Sequence, residues 1–260
     1  MPAIHGLLEQ FKKLDTSYSL YTPSPTERGE TAVLTAINSY IKAHGKPIDV
    51  KIGTVVLKNI YGANKISGTP KADIALVTYN KTSKKFEEVF YISHKMGSTA
   101  KDYQQYSGTS EKADGSVAGS ISKHKEVIKF LKDISKFHGH ITKKKFKYYS
   151  KIKDTNLIGK SVFGPQFGSP TKGPDNIDII AQGTPTFTKS GSTYTLTFSA
   201  GVSFNPDVSH FTQNGYRAVL VARYTSGRNY TVGGKTYADV RVLIMPEAYV
   251  SGKSSDIYEI

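Results

Sequence analysis

Between Glu27 and Lys95 the hydrophobic pattern changes period once, from about 3.6 residues to 2, and this change most narrows what the chain can fold into. Ala32, Val33, Ala36, Ile37, Tyr40 and Ile41 recur at helical spacing, Thr26 offers an N-cap, and Gly45 with Pro47 ends the element. Residues 49–60 then alternate as a strand, and a glycine-rich turn covers 62–68. Two further strand patterns follow at 72–79 and 87–95, joined by a polar hairpin loop at 80–85. A second helix is expected at 120–137, with Val127, Ile128, Leu131 and Ile134 on one face. One helix, three strands and another helix call for a mixed α/β layer fold, in which helices cover the apolar faces of a sheet.

Beyond the lysine run at 143–145 the composition shifts. Residues 163–174 are too rich in Gly and Pro for helix or strand, and strand patterns follow at 184–187, 193–198, 217–224 and 240–245. The expected organisation is a first domain over residues 1–154 and a β-rich C-terminal region over 155–260, the latter able to pack on the former as one unit. A chain of 260 residues is long enough for either arrangement. It has no cysteine, which excludes disulfides, thiol catalysis and cysteine-ligated zinc. Residues 1–14 lack the apolar run of a signal peptide, and apolar stretches such as 218–222 are too short to span a bilayer, so a cytoplasmic protein is expected. The 17 Tyr against no Trp suggest a tyrosine-lined polar surface.

Charge narrows the partner. The chain carries +14 overall, and residues 1–154 hold 26 basic against 14 acidic side chains, leaving 9 against 7 for the rest. Such a field concentrates polyanions, because each phosphate neutralised by lysine releases counterions. No basic amphipathic helix with a bulky apolar face is evident, which turns the reading from membranes to nucleic acid.

The chemistry is concentrated in Pro70-Lys71-Ala72-Asp73-Ile74-Ala75-Leu76-Val77 and, after the hairpin, Phe90-Tyr91-Ile92-Ser93-His94-Lys95. Hydrolysing a phosphodiester needs a hydroxide near neutral pH, neutralisation of charge at phosphorus and stabilisation of the leaving oxygen. A carboxylate-held divalent cation supplies most of this, and a lysine on the same strand face orients water or holds phosphate. These two stretches resemble the PD-(D/E)xK phosphodiesterase superfamily, in which an Asp opening one strand meets a (D/E)-x-K on its neighbour. The resemblance implies a restriction-endonuclease-like α-β-β-β-α-β core and a Mg²⁺-dependent deoxyribonuclease, with Mn²⁺ able to substitute. It implies double-stranded DNA as the favoured partner and is compatible with a homodimer.

Strand parity sorts the neighbours. Val89, Tyr91, Ser93 and Lys95 should share one face with Asp73, and Phe90, Ile92 and His94 the other. The resemblance gives Asp73 the metal and Lys95 the water or phosphate, but it expects Asp or Glu where Ser93 stands. Glu87 lies roughly 26 Å from Lys95 at about 3.3 Å per residue, and Glu88 has the wrong parity. Glu30, in the first turn of the leading helix, is the expected second carboxylate, its bland alternative being interaction with the helix dipole. Lys71, His94, Gln104 and Gln105 are expected to support the site or touch DNA. The Gln-x-x-x-Tyr motif of some exonucleases is absent, since Gly108 and Thr109 follow the two glutamines at that spacing.

Residues 92–108 and 221–247 also resemble nuclease-like proteins of large bacteriophages. Arg223 and Arg228 in the second stretch are expected to meet phosphate or guanine edges, with salt bridges to Asp239 or Glu247 as the alternative. Because Ser93 replaces an acid, the competing function is a DNA-binding or packaging protein that keeps this fold without catalysis.

Overall fold

The computed structural model describes residues 25–68, 70–109, 121–135, 146–213, 215–227, 230–232, 235–252 and 258–260. In chain order the elements begin with α1 (Pro25–Ala43), β1 (Ile48–Ile52), β2 (Val55–Lys65), β3 (Ile74–Asn80) and β4 (Lys85–Lys95). They continue with β5 (Ser107–Gly108), α2 (Lys125–Ser135), β6 (Phe146–Lys151), α3 (Thr155–Phe163), β7 (Ile179–Gln182), β8 (Pro185–Ser190), β9 (Thr193–Phe198) and β10 (Val202–Phe204). The last are β11 (Ala218–Tyr224), β12 (Tyr230–Val232), β13 (Lys235–Tyr237), β14 (Val240–Pro246), α4 (Glu247–Ser251) and β15 (Tyr258–Glu259). The fold class is mixed α/β, rich in strands and sparing in helices.

Contacts divide the chain into two units: the residues up to Ser98 with Thr171–Val202, and Thr99–Pro170 with Ser203–Ile260. The position near 154, where composition shifts, falls inside the second unit. Charge composition reports solvent and partners; strand pairing decides units, and β7, β8 and β9 return to the first unit's sheet.

In that sheet the hydrogen-bonded order is β7-β4-β3-β2-β1-β9-β8. The pairs β1–β2, β2–β3, β3–β4 and β8–β9 are antiparallel, whereas β4–β7 and β1–β9 are parallel. The single strand expected over 49–60 is a hairpin instead. Gly53, at φ 57, turns the chain so that Ile52 faces Val55, the positive φ being the conformation a two-residue hairpin demands. The glycine-rich stretch expected to turn at 62–68 is strand as far as Lys65. The second expected strand pair holds: β3 and β4 are joined at Asn80, whose Oδ1 accepts the N–H groups of Thr82 and Ser83.

Ile74, Ala75, Leu76 and Val77 are fully buried, so β3 is covered on both faces, which explains its unbroken apolar run. Helix α1 starts at Pro25, one residue before the expected cap, and buries Val33, Leu34, Ile37 and Ile41. Its seat on the sheet is a polar contact. Pairing with β1 stops at Ile60, leaving the next residues of β2 without a strand on that side, and Asn38 fills the gap. Its side chain donates to Ala63 O (3.0 Å) and accepts from Ala63 N–H (2.7 Å), satisfying both backbone groups at a sheet edge.

The second unit holds the sheet β15-β6-β11-β14-β5 and the ribbon β12-β13. The strand after the second helix, β6, belongs to this sheet, and the strand beside β4 in the first unit is β7. Tyr103 and Tyr106 are buried among rings: Tyr106 packs edge-on against Phe211 at 5.4 Å, and its hydroxyl donates to Tyr216 O at 2.7 Å. Burial pushes both phenols up, Tyr103 to well above its ordinary value. Among the described residues no helix is long and apolar enough to cross a membrane.

Replacing Asn38 by Ala leaves the N–H and C=O of Ala63 without partners at the edge. The expected loss is about 2 kcal/mol of stability, read from urea unfolding. A change below about 0.5 kcal/mol would mean that α1 is held by its apolar face alone.

Candidate nucleic-acid cleavage site

Asp73 stands immediately before β3, where its backbone N–H donates to Ile92 O of β4 at 2.9 Å. Its carboxylate reaches the same strand. Oδ2 accepts the Ser93 hydroxyl at 3.1 Å and the backbone N–H of His94 at 2.7 Å. Ser93 is 1% exposed, so its hydroxyl is turned inward onto this carboxylate. Among the described residues Asp73 Oδ1 takes no hydrogen bond, which leaves one carboxylate oxygen available. The register Ile74↔Ile92 and Ala75↔Tyr91 places Asp73, Tyr91, Ser93 and Lys95 on one face of the sheet.

Lys71 lies close enough to Asp73 and Lys95 to feel both charges. Burial, then Lys95, pushes its ammonium down to about 7, and Asp73 opposes the shift. One carboxylate, one hydroxyl and two lysines therefore gather where β3 opens and β4 closes.

Glu30 is placed differently. Its carboxylate lies 3.8 Å from Lys65 Nζ, and Lys65 is in register with Ile74, on the face alternate to Asp73. Among the described residues no three His, Asp or Glu side chains gather in a group that could hold a metal ion. Glu88, set aside on parity, is affected by a feature that alternation does not reveal. The register jumps from Leu76↔Phe90 to Val77↔Glu88, so Val89 is the extra residue of a β-bulge and Glu88 moves onto the Tyr91 face. The Tyr91 phenol records this: burial pushes it up, and the Glu88 and Asp178 carboxylates push it further. Glu88 also lines an open cleft with Lys65, Ser67, Pro70, Pro174 and Asp175.

His94 is 5% exposed on the opposite face. Its Nε2 donates to Gly183 O at 2.7 Å, and burial lowers its pKa. The His94 backbone, rather than its ring, meets Asp73. Gln104 and Gln105 lie in the second unit, Gln104 exposed and at φ 61. Arg223 is on β11 of the same unit, and Arg228 lies outside the described residues.

Sequence reasoning missed Asp178 and Gln182. Asp178 Oδ2 accepts the Tyr91 N–H at 2.7 Å, and Gln182, 1% exposed, donates to Met96 O at 3.0 Å. Both belong to the segment carrying β7, about ninety positions beyond β4, and no local pattern announces that it pairs with β4.

The chain is 34% identical over 192 residues to the type II restriction enzyme CviJI of Paramecium bursaria Chlorella virus IL3A, a match that covers 72% of this chain. It spans about half, 51%, of that enzyme's length. No family model matches the chain, and no solved structure matches it. The resemblance to restriction-endonuclease-like nucleases drawn from residues 70–95 is thereby borne out, with a relative from a Chlorella virus where the sequence suggested bacteriophage proteins.

Burial raises the Asp178 carboxyl to about 6, against the pull of the Tyr91 N–H and Lys172. A carboxyl that protonates more readily folded than unfolded penalises folding once pH passes its unfolded value, so stability should fall between about pH 4 and pH 6. Asp178→Asn keeps an acceptor for Tyr91 and removes the charge. Its melting temperature should match the parent's near pH 4 and exceed it at pH 7. Parallel curves across that range would show that Asp178 is ionised in the fold without cost.

Proposed function

We propose, from this kinship with a type II restriction enzyme, that the chain is a Mg²⁺-dependent endonuclease acting on double-stranded DNA, built on a restriction-endonuclease-like core. The observation that carries the reading is the grouping of Asp73, Ser93, Lys71 and Lys95 in the segments whose sequence suggested that chemistry. The basic first part of the chain supports a polyanionic substrate.

The residues fit a magnesium ion held loosely. Mg²⁺ keeps several waters and takes one or two carboxylates together with substrate phosphate oxygens, and Asp73 offers the free oxygen Oδ1. When bound, such an ion neutralises charge at phosphorus and lowers the pKa of a water. Ser93 and the His94 N–H fix the Asp73 carboxylate through its other oxygen, so Oδ1 keeps one direction. Lys95 and Lys71 hold the scissile phosphate and orient the attacking water. Two residues compete as the second carboxylate in this reading: Glu30, the helix residue the sequence pointed to, and Glu88, which the bulge at Val89 brings onto the Asp73 face.

Supercoiled plasmid incubated with Mg²⁺, with Mn²⁺ or with EDTA tests the reading directly. Nicking or linearisation in either metal and none in EDTA is expected, with Asp73→Ala lowering the rate by at least about a thousandfold while DNA retardation persists. Glu30→Gln and Glu88→Gln, compared in the same assay, identify the second carboxylate by the larger loss. A second reading is favoured by one observation, Ser93 where the superfamily has an acid: a DNA-binding protein without catalysis. It predicts retardation of DNA with no nicking in either metal, and that outcome would replace the enzymatic reading.

A further inference from the structure

The hairpin that joins β3 to β4 carries three lysines within five positions, Lys81, Lys84 and Lys85, and all are exposed. On the neighbouring β1–β2 hairpin Lys58 is matched by Asp49 at 2.7 Å. The three lysines of the β3–β4 hairpin are not matched: among the described residues none of them forms an ion pair or donates a side-chain hydrogen bond. The carboxylate nearest in sequence is engaged elsewhere. Glu87 Oε1 accepts the Asn80 amide at 2.8 Å and the Ser83 hydroxyl at 3.0 Å.

Those bonds brace the turn. Asn80 Oδ1 also accepts the N–H groups of Thr82 and Ser83 at 2.8 and 3.1 Å, so Asn80 on one strand and Glu87 on the other hold the loop between them. Beneath it the rings of Tyr79 and Phe86 meet edge-on at 5.3 Å, and Phe86 meets Tyr61 of β2 at 5.5 Å, which ties the stem to the sheet. Lys84 stands at φ 55, a left-handed conformation that glycine takes freely and lysine adopts at a cost. On backbone grounds glycine would suit that position better. The chain instead keeps an unmatched ammonium there, beside two others, on a turn that has little freedom left to lose when a polyanion binds.

Along β3, Asn80 stands seven positions beyond Asp73, roughly 23 Å at about 3.3 Å per residue. That is the rise of about seven base pairs at about 3.4 Å each, so one short duplex is long enough to reach from the Asp73 group to the hairpin.

We propose that the tip of the β3–β4 hairpin, through Lys81, Lys84 and Lys85, is a clamp on the phosphodiester backbone of duplex DNA. The assignment rests on the reading of the chain as a DNA-acting protein, and it adds a contact that takes no part in the chemistry at Asp73.

Fluorescence anisotropy of a labelled duplex of about 20 base pairs, in EDTA at salt from about 50 to 200 mM, tests it without requiring cleavage. Changing all three lysines to Gln should weaken binding about a hundredfold near 0.1 M salt and lower the slope of log affinity against log salt by roughly two to three. Lys84→Gly removes one charge and relieves the backbone: affinity should fall about fivefold while the melting temperature holds or rises, a combination that a merely structural lysine would not produce. Lys129→Gln, on α2 where Asp133 matches the lysine, should keep affinity within about twofold. A triple variant with the affinity and slope of the parent overturns the assignment. So does a loss in Lys129→Gln equal to that in Lys84→Gly, which would make bulk charge the cause. A parent chain that does not bind the duplex removes the DNA-acting reading and the clamp with it. Hairpin-dependent binding by a chain that fails to nick plasmid leaves the clamp standing and removes the endonuclease reading alone.

Discussion

The carboxylate of Asp73 fastens the start of β3 to the end of β4, and much else follows from that attachment. Its Oδ2 takes the His94 N–H just where the regular ladder gives out, while the Asp73 N–H takes Ile92 O. A side chain thus extends the strand pairing by one step. The residue at 73 must then be an acceptor short enough to reach a backbone N–H, and the parity of β4 beyond that point is fixed. Tyr91, Ser93 and Lys95 face one way, and Ile92 and His94 the other. An Asn could accept the same bond, but it would bring no charge to two neighbouring lysines.

The site and the fold are therefore built from the same hydrogen bonds. Ser93 is buried against Asp73. Lys71 is desolvated beside Lys95, which lowers its affinity for a proton toward 7, and the Asp73 charge opposes that shift.

How far the site could be read in advance depended on the range of the interactions involved. Asp73, Ser93 and Lys95 were legible because alternation along β3 and β4 is a local property and the hairpin between them is short. Glu88 was misjudged because one inserted residue, Val89, reverses parity, and a bulge leaves no mark in the hydrophobic pattern. Asp178 and Gln182 were invisible because their place beside β4 follows from a parallel pairing made far along the chain. The hairpin at Gly53 was missed for a smaller reason: the apolar alternation runs straight through it, and only the positive φ of one glycine breaks the strand.

By itself the sequence determined the local periods, the charge excess and the acid, hydroxyl and lysine that β3 and β4 bring together, since each depends on residues close in the chain. Tertiary structure alone decided which strands complete the first unit's sheet, that Glu30 stands beside Lys65, and that Arg217 meets Glu247. Register between distant strands is set by packing over the whole sheet, so no stretch of sequence carries it.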